Sequence, residues 1–467
     1  MPTNRWNILK GCIPLNPRLL YFILFSCYAS LFPFLGVIFT EQGLNTAQVG
    51  VINSVIPLVS FIATPTISYI YDYFKKSKII WLTIIVLAAS IMQTALLVNK
   101  FYQILLVVLF WSTFSCCVGP FADTAVLTIL GPEGKQNYGK YRLWGAISWG
   151  LFAPIMGALN SHFSFYFGFG YYFFGLLAVT FYISLCKIQP ASSTKAVLEL
   201  ELEKSESFTS NSEDFDESSK GEKERPRLDD VNESDAKTLF KILFKFRVMV
   251  FYFIMFSMGL VSRVIASFLP IYLTSLGASP FLVGLTLTFD VSTEIPILYF
   301  SSTFLRVFGV QWLLISGIVA TAIRVIIYCF ITNPWYVLPV ELLHGLTFGA
   351  TFAAGIHYSA GLYPSKLSAT GQGIFNGFYS GAGPTIGSVI AGVLYDYDSP
   401  VVMFQICAAF LFGNLILLLL AEHKELSGFI AKNLQWIDSR FSRGKLSEAN
   451  YSLVNGDSDN DSLPEII

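Results

Sequence analysis

Two stretches carry one pattern: Gly43-Leu44-Asn45-Thr46-Ala47-Gln48-Val49-Gly50 and, 234 residues later, Gly277-Ala278-Ser279-Pro280-Phe281-Leu282-Val283-Gly284. Each begins with a turn glycine, passes a few small or polar residues, and enters a new apolar run through Val-Gly. The apolar runs flanking the first stretch cover 19–39 and 47–70; those flanking the second cover 247–273 and 281–302. Each suffices for a bilayer-crossing helix, which needs about 20 apolar residues. The same reading adds 79–98, 103–130, 143–159 and 165–186 to the first set. To the second it adds 310–331, 335–358, 369–394 and 400–420. These lengths favour helices over barrel strands, which need about 10 residues and alternate in polarity. Six spans followed by six more in the same orientation are the signature of a parallel repeat.

Composition names the solvent. The 467 residues are 54% hydrophobic and 13% charged, whereas a soluble domain is about 25% charged. Residues 187–245 hold 24 of the 61 charged side chains, residues 421–467 hold 13 and residues 1–18 hold 3, leaving 21 for the other 343 residues. No water-facing surface is built from so few. With a net charge of −1, this argues against a soluble enzyme or a nucleic-acid binder. The seven cysteines show no metal-ligand spacing, and the chain has no P-loop or nucleophile elbow. The expectation is therefore no cofactor, no metal, no enzyme activity and no ATP-driven pumping.

Short-loop basic residues orient the chain. Lys75, Lys76, Lys78, Lys135, Lys140, Arg142, Arg306 and Lys366 fall on one side, and Lys100 alone on the other. This places both termini in the cytoplasm. The resulting division is a cytoplasmic N-terminus (1–18), an N-terminal six-helix half (19–186), a cytoplasmic linker (187–245), a C-terminal six-helix half (246–420) and a cytoplasmic tail (421–467). Residues 199–235 carry 14 acids and 5 bases, which reads as disordered tether.

Twelve helices in two parallel halves resemble the major facilitator superfamily. Tyr71-Asp72-Tyr73-Phe74-Lys75-Lys76 is similar to that family's loop after helix 2, an Asp followed by basic residues. Three further stretches resemble the branch of oligosaccharide (lactose-permease-like) and nucleoside proton symporters. They are Tyr138-Gly139-Lys140-Tyr141-Arg142-Leu143-Trp144-Gly145, Asn333-Pro334-Trp335 leading to Glu341-Leu342-Leu343-His344-Gly345, and Ala369-Thr370-Gly371-Gln372-Gly373. The resemblance implies an all-α membrane fold and solute transport by alternating access.

An ionisable group inside a span costs at least about 2.5 kcal/mol unless paired or hydrated. At about 1.5 Å per residue, Asp290, Glu294, Arg324, Glu341, His344 and Arg263 overlap in depth on helices 7 to 10. Asp290 and Glu294 are i,i+4 and Glu341 and His344 are i,i+3, so each pair shares a helix face. The expectation is a polar network in which Arg324 and Arg263 offset the acids, serving either to couple protons to solute movement or only to order the helices. The resemblance adds that lactose-permease-like symporters place a Glu on helix 8, an Arg on helix 9 and a His/Glu pair on helix 10. Glu294, Arg324 and Glu341/His344 match these by helix and type, with the order on helix 10 reversed. Asp123 on helix 4 and Arg142 on helix 5 lie nearer the cytoplasm. They read as substrate ligands, as a bridge closing an inner gate, or, for Arg142, as a snorkelling anchor.

Trp111, Trp144, Trp149, Tyr358 and Tyr379 offer flat surfaces for a ring-shaped solute, or face lipid. The leading functional expectation is a secondary transporter of a small polar solute, proton-coupled and working as a monomer in the bilayer. The alternatives are an uncoupled facilitator and a transport-fold receptor or scaffold signalling through the linker and tail.

Overall fold

A computed structural model describes residues 13–73, 77–134, 137–188, 239–364 and 367–422. Most of the linker, the tail after Glu422 and the Lys75, Lys76, Lys135 and Lys366 positions lie outside the described residues. The first half consists of α1 (Pro17–Glu41), α2 (Thr46–Tyr73), α3 (Ser77–Gln93, extended by a 3-10 turn Thr94–Leu97), α4 (Phe101–Gly134), α5 (Tyr138–Phe163) and α6 (Tyr166–Leu185). The second consists of α7 (Phe246–Ser275), α8 (Pro280–Tyr299), α9 (Ser301–Tyr328), α10 (Pro334–Glu341 and Gly345–Leu362), α11 (Ser368–Asn376, a π-turn Gly377–Ala382, and Gly383–Tyr397) and α12 (Pro400–Glu422).

Among the described residues ten helices are long and apolar enough to cross a membrane, and the bent pair of α10 makes an eleventh. The twelfth expected span, 369–394, falls on the interrupted α11, which is not among these eleven. Local chemistry sets the breaks. Pro33 has no N–H to give and opens the 3-10 turn Phe32–Phe34 inside α1. Gly309 takes φ 78°, which divides α9 into a short helix ahead of it and the span proper behind. Arg306, expected in a loop, therefore sits on that short helix. The turn glycines are left-handed in both halves, Gly43 at φ 91° and Gly277 at φ 87°, so the repeated pattern is a repeated helix stop.

The termini share a face. Ile13–Pro14 pairs in parallel with Cys186–Lys187, tying the start of α1 to the end of α6. Lys78 Nζ donates to the carbonyls of Ser184 (3.0 Å) and Cys186 (2.7 Å) at the same corner. In the second half Arg247 pairs with Glu422 at 3.3 Å, joining the start of α7 to the end of α12.

The halves meet on the opposite face along two seams that the repeat exchanges, α2 against α11 and α5 against α8. Each seam is closed by a reciprocal pair of glycines. A Cβ at Gly50 would lie 2.5 Å from the Ser388 carbonyl, and one at Gly392 would lie 2.6 Å from the Thr46 carbonyl. On the other seam, a Cβ at Gly157 would strike the Pro280 carbonyl and one at Gly284 the Ala153 carbonyl. The Val-Gly of the opening pattern thus marks where backbones of opposite halves touch, the close approach that small residues permit in lipid. Gly284→Leu should wedge the α5–α8 seam apart. In a cysteine-free background, maleimide added from the face opposite the termini should label a cysteine at Thr286 several-fold faster in the Leu variant; equal rates would show that the seam does not gate access.

Candidate functional site

A cavity of about 330 Å³ lies between the halves, within the size range of small-molecule sites. Its N-terminal wall is aromatic, with Phe32 and Pro33 from α1 and Trp149 from α5; its C-terminal wall holds Arg263, Asp290, Glu294, Arg324, Glu341 and His344. Four helices supply these six groups: α7 gives Arg263, α8 the two acids one turn apart, α9 Arg324, and α10 the pair that brackets its bend.

Arg324 is the hub. It is 3% exposed, and its Nη2 donates to Glu341 Oε2 at 2.5 Å and stands 3.6 Å from Asp290 Oδ1. Its Nε donates to Tyr328 Oη at 3.0 Å, and its Nη1 reaches Thr347 Oγ1 at 2.9 Å and His344 Nδ1 at 3.1 Å. Tyr328 in turn donates to Glu341 Oε1 at 2.5 Å. Because Nδ1 of His344 accepts from Arg324, the ring proton is assigned to Nε2. That nitrogen faces Glu294 Oε2 at 3.7 Å, while Nδ1 is 3.5 Å from Asp290 Oδ1. His344 therefore stands between the two acids of α8.

Five of the six residues expected in this network are brought together. Arg263 lines the same cavity but pairs with none of the acids. Its Nη2 donates at 3.1 Å to the backbone carbonyl of Asn53 on α2, across the boundary between halves. Charge depth alone placed it with the others, and depth carries no information about azimuth around the helix. Glu341 and His344 share the cavity as expected, though not on one continuous helix: α10 bends by 42° between them and continues as a π-turn, Gly345–Ala350. Gly345 allows this, since a Cβ there would lie 2.6 Å from the Thr293 carbonyl of α8. Such π-turns recur at functional sites.

Asp123 and Arg142 form a separate pair within the first half. Arg142 Nε is 3.6 Å from Asp123 Oδ1, and both side chains are about one-third exposed. Tyr21 donates to the same carboxylate oxygen at 2.7 Å. The guanidinium lies over the rings of Phe25 (4.3 Å) and Tyr21 (5.3 Å), a cation–π setting that fixes its position.

Sequence reasoning missed the neutral partners. Tyr328, one helical turn after Arg324, had a readable signal in that spacing. Thr347 and Tyr21 had none. Of the aromatic candidates, Trp149 lines the cavity. Trp111 is buried behind it, donating to Tyr172 Oη at 3.0 Å. Trp144 packs on Phe22, Tyr358 on Phe251 and Tyr379 between Phe352 and Phe375.

Among protein families, the model described as the MFS_1 like family matches residues 15–406. The maltose permease of Geobacillus stearothermophilus is 25% identical over 415 residues, spanning 88% of this chain and 95% of that protein. An uncharacterized transporter, YwbF, of Bacillus subtilis (strain 168) is 23% identical, spanning 86% of this chain and 92% of its own. Among solved structures, the nucleoside transporter NupG superposes with a TM-score of 0.68 at 15% identity, covering 87% of this chain and 98% of its own.

Proposed function

The chain belongs to the MFS_1 like family, and on that premise we propose that it is a proton-coupled symporter of a small polar solute. It is a multi-pass membrane transporter of the major facilitator type and not an enzyme. The observation that carries the coupling reading is the charge imbalance at the cavity wall. Of the three carboxylates Asp290, Glu294 and Glu341, the first and last share Arg324, while Glu294 faces only the ring of His344, whose Nδ1 is taken by Arg324. One carboxylate is left without a fixed cation, and a proton is the counter-ion that can come and go.

Glu294 is the group to carry it. Asp290 and Glu341 contact an arginine of their own half, so rocking of one half against the other leaves them paired. Glu294 contacts no arginine among the described residues and meets only the His344 ring, at 3.7 Å. A rocking motion that changes how far the cavity wall is open to water changes with it the tendency of Glu294 to hold a proton. His344 Nε2 offers a path from Glu294 toward the Arg324 cluster. The glycine seams close one face in this conformation, and a swing about them exposes the cavity to alternate sides.

In this reading both termini, the linker (187–245) and the tail (421–467) are cytoplasmic, the halves are 19–186 and 246–420, and one monomer suffices. The relatives bear the names of maltose and nucleoside carriers, which supports a sugar or nucleoside as cargo. The test is uptake by purified protein in liposomes, using a metabolite panel with and without an inward proton gradient. At one proton per solute, each pH unit sustains about tenfold accumulation. Uptake that equilibrates but never accumulates would make the protein an uncoupled facilitator.

A further inference from the structure

Arg263 is the one arginine of the cavity that no acid matches. Among the described residues no carboxylate lies within ion-pair distance of it. Only one of its five N–H groups is engaged, by the Asn53 carbonyl, and Nε is buried without a partner. Arg324 is the opposite case, with donors spent on Tyr328, His344, Thr347 and Glu341. An uncompensated guanidinium inside a membrane domain is expensive, and its natural complement is an anion that arrives with the cargo.

The surroundings are built for one. Arg263 stands between the main cavity and a smaller one of about 90 Å³, lined in part by Asn53, Ser267 and Trp111. Asn53 and Ser267 are buried polar residues, which with Arg263 supply N–H and O–H donors suited to an oxyanion. Phe32 lines both cavities, and Trp149 closes the main one beside it. An apolar wall thus faces a cationic, donor-rich corner.

We propose that the solute is an anionic derivative of a sugar or nucleoside, bearing a carboxylate or a phosphate that Arg263 binds while the body of the molecule packs on Phe32 and Trp149. The inference rests on the reading of this cavity as the solute site. It also explains the split of charges across the chamber. A proton entering at Glu294 and an oxyanion entering at Arg263 add no net charge together, so the loaded chamber need not carry an extra ion through the bilayer.

Matched pairs test it in the full-length protein. Benzoate against benzamide, and phenyl phosphate against phenol, differ in charge while keeping the ring; inorganic phosphate, maltose and uridine complete the set. Binding is read by the shift in melting temperature and by tryptophan fluorescence. The wild type should bind at least one anion about tenfold or more tighter than its neutral counterpart, as charge-assisted hydrogen bonds provide. The benzoate and phenyl phosphate arms separate a carboxylate from a phosphate site. Arg263→Gln should remove the preference and Arg263→Lys should keep part of it.

Equal binding of neutral and anionic partners by the wild type overturns the proposal without need of any variant. So does a preference that survives Arg263→Gln, or the absence of any shift with the anions. If maltose or uridine binds and the anions do not, the oxyanion site falls while the cavity remains the solute site. If an anion binds through Arg263 but is never taken up in liposomes, the oxyanion site stands and transport of that compound fails.

Discussion

Arg324→Met is expected to abolish transport and to destabilise the C-terminal half by about 3–5 kcal/mol, the usual penalty for removing one partner of a buried ion pair. The argument is geometric. Arg324 and Glu341 are 3% and 1% exposed and pair at 2.5 Å. Asp290 shares the same guanidinium at 3.6 Å. Removing it leaves two carboxylates without their cation, Tyr328 Oη without its Nε donor, and His344 free to change tautomer. The double variant Arg324→Met with Glu341→Leu removes the tightest ion pair whole and restores apolar packing there, leaving Asp290 alone without its cation. It should recover most of the lost melting temperature but none of the proton-driven uptake. Recovery of both would show that the pair only orders the helices. A full loss of expression in the single variant is itself the expected result of the stability term, so the double variant is what separates folding from coupling.

Glu294→Gln is expected to act in the opposite manner, leaving stability almost untouched and uncoupling transport. The side chain keeps its volume and its contact with His344, and the only thing removed is a titratable charge. Solute should still exchange across the membrane, while accumulation under a proton gradient of two pH units falls from about a hundredfold toward unity. Counterflow, which needs no net proton movement, should persist at a rate within a few-fold of wild type. Retention of gradient-driven accumulation in this variant would exclude Glu294 as the proton carrier and move the role to Asp290.

Much of this was legible in the sequence because lipid makes charges conspicuous. The runs around Gly43 and Gly277 announced two similar halves, and in a helical membrane protein a lone Asp290 or Arg324 inside an apolar run has few reasons to be there. Depth along a helix can be counted from the chain, which is why Asp290, Glu294, Glu341, His344 and Arg324 group together from sequence. Azimuth cannot. Arg263 lies at the right depth and yet reaches Asn53 of the other half. The bend within α10 falls just after Pro339, which has no N–H to give, and just before Gly345, where α8 approaches most closely; that approach comes from over fifty residues away in the chain and is not written in the local sequence. Tyr328, Thr347 and Tyr21 escaped because neutral hydroxyls are common in spans and become informative only when a charged partner is beside them.

The opening pattern gained a meaning that sequence did not suggest. Gly50 and Gly284 were read as repeat markers, and they turn out to face Gly392 and Ala153 across the two seams between halves. When a half is duplicated, each seam glycine is duplicated with it, so the two seams share one close-packed chemistry.

Movement of one proton with each solute molecule through Glu294 is tested most directly by a pH-sensitive dye trapped inside liposomes that hold the purified protein, with no imposed gradient and with a transported solute added outside. The lumen should acidify with the solute in the wild type, and solute should enter the Glu294→Gln liposomes with no acidification. Solute entry without any pH change in the wild type, or with the same pH change in the variant, would contradict it.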